Sequence, residues 1–235
     1  MPAPYALIIP ALNEAESIGR LLAQIPASLF LQIIVVDNGS RDATAEVARA
    51  AGAYVVMEPR RGYGQACQTG LAHVRPEIAG IAFIDADLSD DPADLSKLVR
   101  RLEEDELDLV IGSRVLGNPE PGSLTFLQRF GNWLSTRLIK LIWGVPFTDL
   151  GPLRMIRRTS LLCLDLRDRD FGWNVEMQAK AARLRLSVSE VPVSYRQRRF
   201  GRSKISGTLL GSARAGFKIL LTLYRCWRMQ LPTGT

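Results

Sequence analysis

Histidine is almost missing from this chain. His73 is the only one in 235 residues, which excludes every His-based catalytic triad and every multi-histidine metal site. His73 itself is expected at the surface or at a helix end. Three cysteines, Cys67, Cys163 and Cys226, make an odd set without metal-type spacing, so free thiols in a reducing compartment are expected. No apolar run is long enough to span a membrane. The longest uncharged stretch, Leu21 to Val36, is broken by Gln24, Pro26, Ser28 and Gln32 and falls short of about 18 apolar residues. The first residues, MPAPYALIIPALNE, lack a basic n-region, so no signal peptide is expected. No internal repeat or low-complexity tract occurs.

What is present suits one globular domain, alone or with an extension. The chain is 47% hydrophobic and 23% charged, with a net charge of +6. That composition argues against disorder. The excess of cations calls for an anionic partner: lipid, nucleotide phosphate or nucleic acid. Short β-branched runs at 5–9, 32–36, 53–57, 81–84 and 108–112 read as strands, several of them apolar throughout as in a sheet covered on both faces. Helical patterns lie between them. Ile18, Leu21, Leu22 and Ile25 fall on one face. Ser40 is placed to cap a helix ending before Gly52, and Asp91, with Pro92 after it, to cap another that carries Leu95, Leu98, Val99 and Leu102. Alternating strands and helices predict an α/β fold with a mainly parallel sheet and helices on both faces.

Each of the first four strands ends in polar residues, which a parallel sheet lines up along one rim. They are Pro10, Asn13 and Glu14; Asp37, Gly39 and Asp42; Arg60, Arg61, Gly62 and Gly64; then Asp85 and Asp87. Two residues apart in an extended segment, Asp85 and Asp87 share a face. Side by side their charges repel unless a cation lies between them. Mg²⁺ or Mn²⁺ suits such a pair and leaves room for water and phosphate oxygens. Asp90 and Asp91 read differently, Asp90 as a solvated loop charge and Asp91 as the helix cap.

The ordered set IIPALNE, VVDNGSRDAT, RRGYGQACQTGL, FIDADLSDDP and GSR at 112–114 resembles the GT-A glycosyltransferases of family 2. The likeness is greatest to polyprenyl-phosphate (dolichyl-phosphate) mannose and glucose synthases, and it covers about residues 5 to 205. The resemblance implies a GT-A, Rossmann-like domain over 1–205 that uses a nucleotide-diphosphate sugar. It implies metal and diphosphate binding at Asp85 and Asp87, with Ala86 between them. It places the nucleotide sugar at Pro10, Asn13, Glu14, Asp37 and Gly62, and catalytic roles at Asp87, Arg114, Asp149 and Glu176. The chain departs from the family pattern at Asp37-Asn38, Arg61-Gly62 and TDLGPLR. It also lacks the QxxRW motif of processive polymerising relatives.

Two acceptors remain open. A lipid phosphate is already anionic and needs cations rather than a base. Arg114, Arg129, Arg154, Arg198, Arg199, Arg202 and Lys204 could supply them, the last two within FGRSKIS, which resembles the family's loop near the phosphates. A hydroxyl acceptor needs a general base, for which Glu176 is the candidate. The segment 206–235 is expected to be an amphipathic helix that lies in a membrane interface, the alternative being that its apolar face packs on the domain or on another subunit. Arg214, Lys218, Arg225 and Arg228 fall on one side, and Leu210, Ala213, Phe217, Leu220, Leu221 and Tyr224 on the other. The helix at 124–143, with one stripe of Leu127, Phe130, Leu134, Leu138 and Leu141 and another of Arg129, Asn132, Thr136 and Lys140, could share either fate. The expected partners are a nucleotide-diphosphate sugar, a polyprenyl-phosphate lipid and the cytoplasmic face of a membrane, with no nucleic acid. A non-catalytic basic module for RNA or membrane is the competing reading, carried by YRQRRFGRSK.

Overall fold

The computed structural model of the chain describes residues 4–117, 119–200 and 209–229, the last segment with side chains from 216 onward. Seven strands form one sheet: β1 (Tyr5–Ala11), β2 (Gln32–Asp37), β3 (Tyr54–Met57), β4 (Gly80–Phe83), β5 (Leu109–Ser113), β6 (Arg154–Arg157) and β7 (Val188–Pro192). Their order across the sheet is β3-β2-β1-β4-β6-β5-β7. β1 pairs in parallel with β2 and β4, β2 with β3, and β5 with β7. Only β6 runs against its neighbours, β4 and β5. The parallel half is the part the sequence periodicity predicts. β6 and β7 lie beyond the runs that the sequence marks as strands.

Alternation along β1 divides the core. Ala6 and Ile8 point into one apolar layer; Tyr5, Leu7 and Ile9 point into the other. Helices α1 (Ala15–Gln24), α2 (Thr44–Ala50) and α4 (Leu95–Glu104) cover the second layer through Ile18, Leu21, Ala48, Leu95, Leu98 and Leu102. Helices α3 (Tyr63–Ala72), α5 (Phe126–Trp143), α6 (Arg158–Leu164), α7 (Trp173–Arg183) and α8 (Leu209–Arg228) cover the first. Each fully buried Leu or Ile in these layers is worth about 1.5–3 kcal/mol of transfer free energy, so both faces contribute.

Two local expectations change. Ser40 does not cap α2; its Oγ accepts from Asn13 N at 2.9 Å, and Asp42 Oδ1 takes the Thr44 N–H at 3.1 Å. Asp91 does cap, accepting from Ala93 N at 3.1 Å, but it heads a 3-10 turn (Pro92–Asp94) that leads into α4. Helix α5 turns much of its apolar stripe outward, while Leu138 packs on the core and Leu134 is half-buried. Ser135, Thr136 and Ile139 are its buried residues, while Phe126, Leu127, Phe130, Trp133 and Leu141 are exposed. Its ends are well defined, by a Thr125/Gln128 capping box and by Gly144 in the left-handed region at φ +80°.

Helix α8 packs on α7 and α5. Thr222, Leu223 and Cys226 are buried there, and Lys218 Nζ pairs with Asp168 Oδ2 at 3.0 Å. Lys218 therefore docks the helix rather than joining a free cationic stripe. Phe217, Leu220, Tyr224 and Trp227 stay exposed, as do Arg225 and Arg228. The side chains of Leu210, Ala213 and Arg214 lie outside the described ones. Among the described residues no helix is long and apolar enough to cross a membrane. Cys67 and Cys226 are buried, Cys163 is exposed, and all three are free. His73 ends α3 and is exposed.

Candidate active site

The carboxyl ends of β1 to β4 share one rim because these strands are parallel. At the end of β1, Pro10 is half-buried and Asn13 stands exposed at φ +51°, its Oδ1 taking the Arg41 N–H at 2.8 Å. Glu14 is buried; its N–H donates to Thr44 Oγ1 at 2.8 Å and its Oε2 accepts from Ser17 at 3.0 Å. Asp37, buried at the end of β2, holds its own turn by accepting from Ser40 N at 2.7 Å. Asn38 clamps the next loop, donating to the Glu58 and Arg60 carbonyls at 3.1 and 2.7 Å and accepting from Gly62 N at 2.9 Å. Gly62 has φ +144°, and a Cβ there would meet the Arg169 carbonyl oxygen at 2.1 Å. Only glycine lets the 168–169 backbone lie against the start of α3.

β4 ends at Phe83, so Asp85 and Asp87 stand on the following turn. Ala86 between them is buried. Asp85 Oδ1 is buried without a hydrogen-bond partner, while Asp87 Oδ1 accepts from Ser89 N at 2.9 Å. Burial, and next the Asp87 charge, push the Asp85 carboxyl up to about 7. Burial, followed by the Asp85 charge, pushes the nearby Tyr63 hydroxyl well above its usual value. An orphaned carboxylate oxygen beside a second carboxylate fits a hard divalent cation. Among the described residues no cluster of three or more His, Cys, Asp or Glu side chains could hold a metal. Two carboxylates therefore suit an ion that takes its other ligands from diphosphate and water.

Asp90 is not the solvated charge its loop position suggests. It is 1% exposed, and neither carboxylate oxygen has a partner. Burial, and next the Asp85 charge, raise it well above the carboxylate range.

Arg114 is gripped by Asp149. Its backbone N, Nε and Nη2 reach the two carboxylate oxygens at 2.8, 2.7 and 2.7 Å, and its guanidinium lies over the Tyr195 ring at 4.9 Å. Asp149, 0% exposed, is placed to position Arg114 rather than to touch a substrate. Arg154 departs further from expectation. It is 0% exposed on β6 and donates to the Gly151, Asn174 and Leu150 carbonyls. Burial pulls its guanidinium down to about 10. Such a group braces the core and cannot reach an acceptor phosphate at the surface.

Glu176 is also committed. Its oxygens accept the Arg167 and Asp168 N–H groups at 2.7–3.1 Å and pair with Lys180 Nζ at 2.7 Å. Those contacts staple the 165–168 loop to α7 and leave little capacity for a base. Arg129 and Arg199 are exposed. Arg202 and Lys204 lie outside the described residues. A cavity of about 220 Å³ opens beside Asp87, lined by Ser89, Ser123, Thr125, Gln128, Tyr195 and Arg198 among others.

A model described as glycosyl transferase family 2 matches residues 6–164. The chain belongs to that family. An uncharacterised glycosyltransferase of Mycobacterium tuberculosis is 41% identical over 208 residues, covering 88% of this chain and 91% of that protein. The dodecaprenyl-phosphate galacturonate synthase of Rhizobium johnstonii is 35% identical over 169 residues, 67% of this chain and 48% of that one. The fold is shared with glucosyl-3-phosphoglycerate synthase of M. tuberculosis, solved with Mn²⁺, UDP and glucosyl-3-phosphoglycerate. The TM-score is 0.75 at 22% identity, over 97% of this chain and 81% of that one.

In this family 2 glycosyltransferase, sequence reasoning missed Asn38, whose clamp stands at one of the departures from the family pattern. It missed Tyr195 and Glu190 as well. Glu190 accepts from the Thr148 and Asp149 N–H groups at 2.9–3.1 Å and so sets the Asp149 turn. The signal available was Asn38 directly after Asp37; nothing local marks Glu190, which acts across 42 residues of chain.

Proposed function

We propose that this protein moves a sugar from a nucleotide-diphosphate sugar, of the GDP-mannose or UDP-glucose type, to a polyprenyl phosphate at a membrane surface, inverting the anomeric centre. The observation that carries the acceptor is the outward aromatic face of α5 and α8. Phe126, Phe130 and Trp133 on α5 are 84%, 48% and 52% exposed, and Phe217, Tyr224 and Trp227 on α8 are 69%, 50% and 60% exposed. Exposed Arg129, Arg137, Lys140, Arg225 and Arg228 flank them. Apolar faces edged by cations suit an anionic lipid interface. The stripe starts at the cavity beside Asp87, since Thr125 and Gln128 line that cavity and Phe126 follows Thr125. The name of the Rhizobium relative supports a polyprenyl-phosphate acceptor. The same face supports a peripheral position on the cytoplasmic side, with residues 206–235 as the interfacial element beside a catalytic domain of 1–205.

In this reading Pro10, Asn13, Glu14, Asp37, Gly62 and Ala86 border the nucleotide sugar, and Asp85 and Asp87 hold Mg²⁺ or Mn²⁺. The ion would supply Lewis-acid neutralisation of the diphosphate as it leaves. Arg114, fixed by Asp149, presents its charge to phosphate oxygens, and Arg129 and Arg199 stand on the acceptor side. An acceptor phosphate oxygen attacks the anomeric carbon, the bond to the diphosphate breaks, and the nucleoside diphosphate departs with the electron pair. The nucleophile is already an anion near neutral pH, so the commitment of Glu176 to its loop is no obstacle.

Transfer to a hydroxyl is the second reading, favoured by the phosphoglycerate acceptor named for the structural neighbour. It requires a base, yet Glu176 is committed to its loop and Asp90 is 1% exposed, so neither carboxylate is presented to an acceptor hydroxyl. The test supplies labelled GDP-mannose and UDP-glucose with three acceptors: polyprenyl phosphate in vesicles, 3-phosphoglycerate, and a hydroxyl-bearing lipid. Label in an acid-labile lipid is the expected result. Label on a hydroxyl acceptor alone would overturn the proposal.

A further inference from the structure

One cation of the chain already faces the acidic pair. Arg198 lies on the segment after β7, with its side chain 17% exposed. Its Nη2 donates to Glu14 Oε1, and its Nε lies 3.7 Å from Asp87 Oδ2 and 2.9 Å from the Phe200 carbonyl oxygen to which it donates. A single guanidinium thus links the carboxylate assigned to the nucleotide with one assigned to the metal.

The placement is built. Arg196 N donates to Ser89 O at 2.8 Å, and the Arg196 guanidinium pairs with Asp91 at 2.6 Å. Gln197 bonds Glu120 and Pro121 at 2.8 and 2.7 Å. Arg20 stacks over the Phe200 ring at 4.7 Å. These anchors on both sides of Arg198 tie its backbone across the mouth of the site.

We propose that Arg198 is a resident counter-cation that couples divalent-metal binding to the arrival of a diphosphate. This rests on the reading of Asp85 and Asp87 as the metal carboxylates. Without nucleotide the guanidinium neutralises Asp87 and Glu14, and its charge opposes a second cation at the same oxygens. A diphosphate offers the guanidinium a better, bidentate acceptor. When the guanidinium turns to it, Asp87 is released for the metal. Metal and nucleotide then bind with positive coupling, and by linkage each raises the affinity of the other by the same factor. The arrangement keeps the acidic pair from filling with metal before a donor is present.

Binding alone tests this, with no acceptor or turnover. Mn²⁺ is titrated against the protein by electron paramagnetic resonance, with and without saturating UDP or GDP. The parent protein is expected to bind Mn²⁺ weakly alone and much more tightly with one of the nucleotides. R198Q should bind Mn²⁺ alone about tenfold more tightly, as losing a competing interaction of about 1.4 kcal/mol implies, and the enhancement by nucleotide should shrink by a similar factor. R198M, which keeps the apolar stem, should behave alike, whereas R198K, which keeps the charge, should bind Mn²⁺ alone close to the parent. Thermal unfolding of each variant confirms the fold. Unchanged or weaker Mn²⁺ binding in both R198Q and R198M overturns the proposal, and so does a parent protein in which neither nucleotide enhances Mn²⁺. D87N separates the two readings. If D87N binds Mn²⁺ like the parent, the metal assignment fails whatever Arg198 does.

Discussion

Asp149→Asn removes the charge that holds Arg114 and keeps the side chain's shape. In the parent protein three N–H groups of Arg114 converge on the two Asp149 oxygens at 2.7–2.8 Å. The side chains are 13% and 0% exposed, so water cannot replace the lost partner. Removing one member of a buried ion pair costs about 3–5 kcal/mol, because the other charge is left uncompensated. Asn keeps one acceptor oxygen but turns an amide N–H toward the guanidinium, which places the expected loss near the lower end, about 3 kcal/mol. At about 2–4 °C per kcal/mol for a chain of this size, the unfolding midpoint should fall by about 6–12 °C. The guanidinium should also lose its aim, and kcat/KM for sugar transfer should fall about a hundredfold, the scale for losing one preorganised phosphate contact. Circular dichroism melting and a labelled-sugar assay read the two effects. A midpoint within about 2 °C of the parent would refute the reasoning, since that corresponds to 1 kcal/mol or less. The double substitution R114M/D149L discriminates further. If the orphaned charge is what costs, the double variant melts above D149N; if it melts lower, packing rather than charge dominated the site.

Glu176→Gln should cost about 3 kcal/mol, because it leaves Lys180, 5% exposed, without its carboxylate, while the shape of the pH–rate profile stays that of the parent. A collapse of kcat with the melting point intact would restore Glu176 as a base. The pair Trp133→Ser and Trp227→Ser lies on exposed faces, so melting and turnover of a short-chain acceptor should hold while co-sedimentation with anionic vesicles falls about tenfold, as loss of two interfacial aromatics implies; unchanged sedimentation would remove the membrane face. In the metal-free protein, burial and then the Asp87 charge push the Asp85 carboxyl up to about 7, above the unfolded carboxylate value. The folded state then binds more protons than the unfolded one between those values. Its stabilising contribution is complete below about pH 4 and fades as pH rises through about 7. Asp85→Asn should flatten that part of the melting-temperature curve, and an unaltered slope would place the titration elsewhere.

Much of the parallel half of the fold was legible because its signals are local. Runs such as QIIVV must be buried on both faces, and a chain that alternates them with amphipathic helices has few ways to cover the sheet. The rim residues followed directly, since strand direction carries Glu14, Asp37, Asp85 and Asp87 to one edge. Strand β6 was not legible. Its residues RMIR begin and end with arginine, and only pairing with β4 and β5 makes them a strand. The same pairing buries Arg154, which the sequence reading counts among the cations for an acceptor phosphate. Helix α5 carried a readable apolar stripe. Which face turned inward was settled by the packing of Ser135, Thr136 and Ile139 beneath it.

By itself the sequence determined the order of the elements as far as β5, the family pattern and the acidic pair after β4, because each depends on neighbours within a few residues. The tertiary structure decided what each charge does. Asp149 became the clamp of Arg114, Glu176 the staple of a loop, Asp90 a buried acid, and Arg198 the cation beside Asp87. Burial and partner set the state of an ionisable group, and both come from residues distant in the chain: 184 positions separate Arg198 from the Glu14 it pairs with.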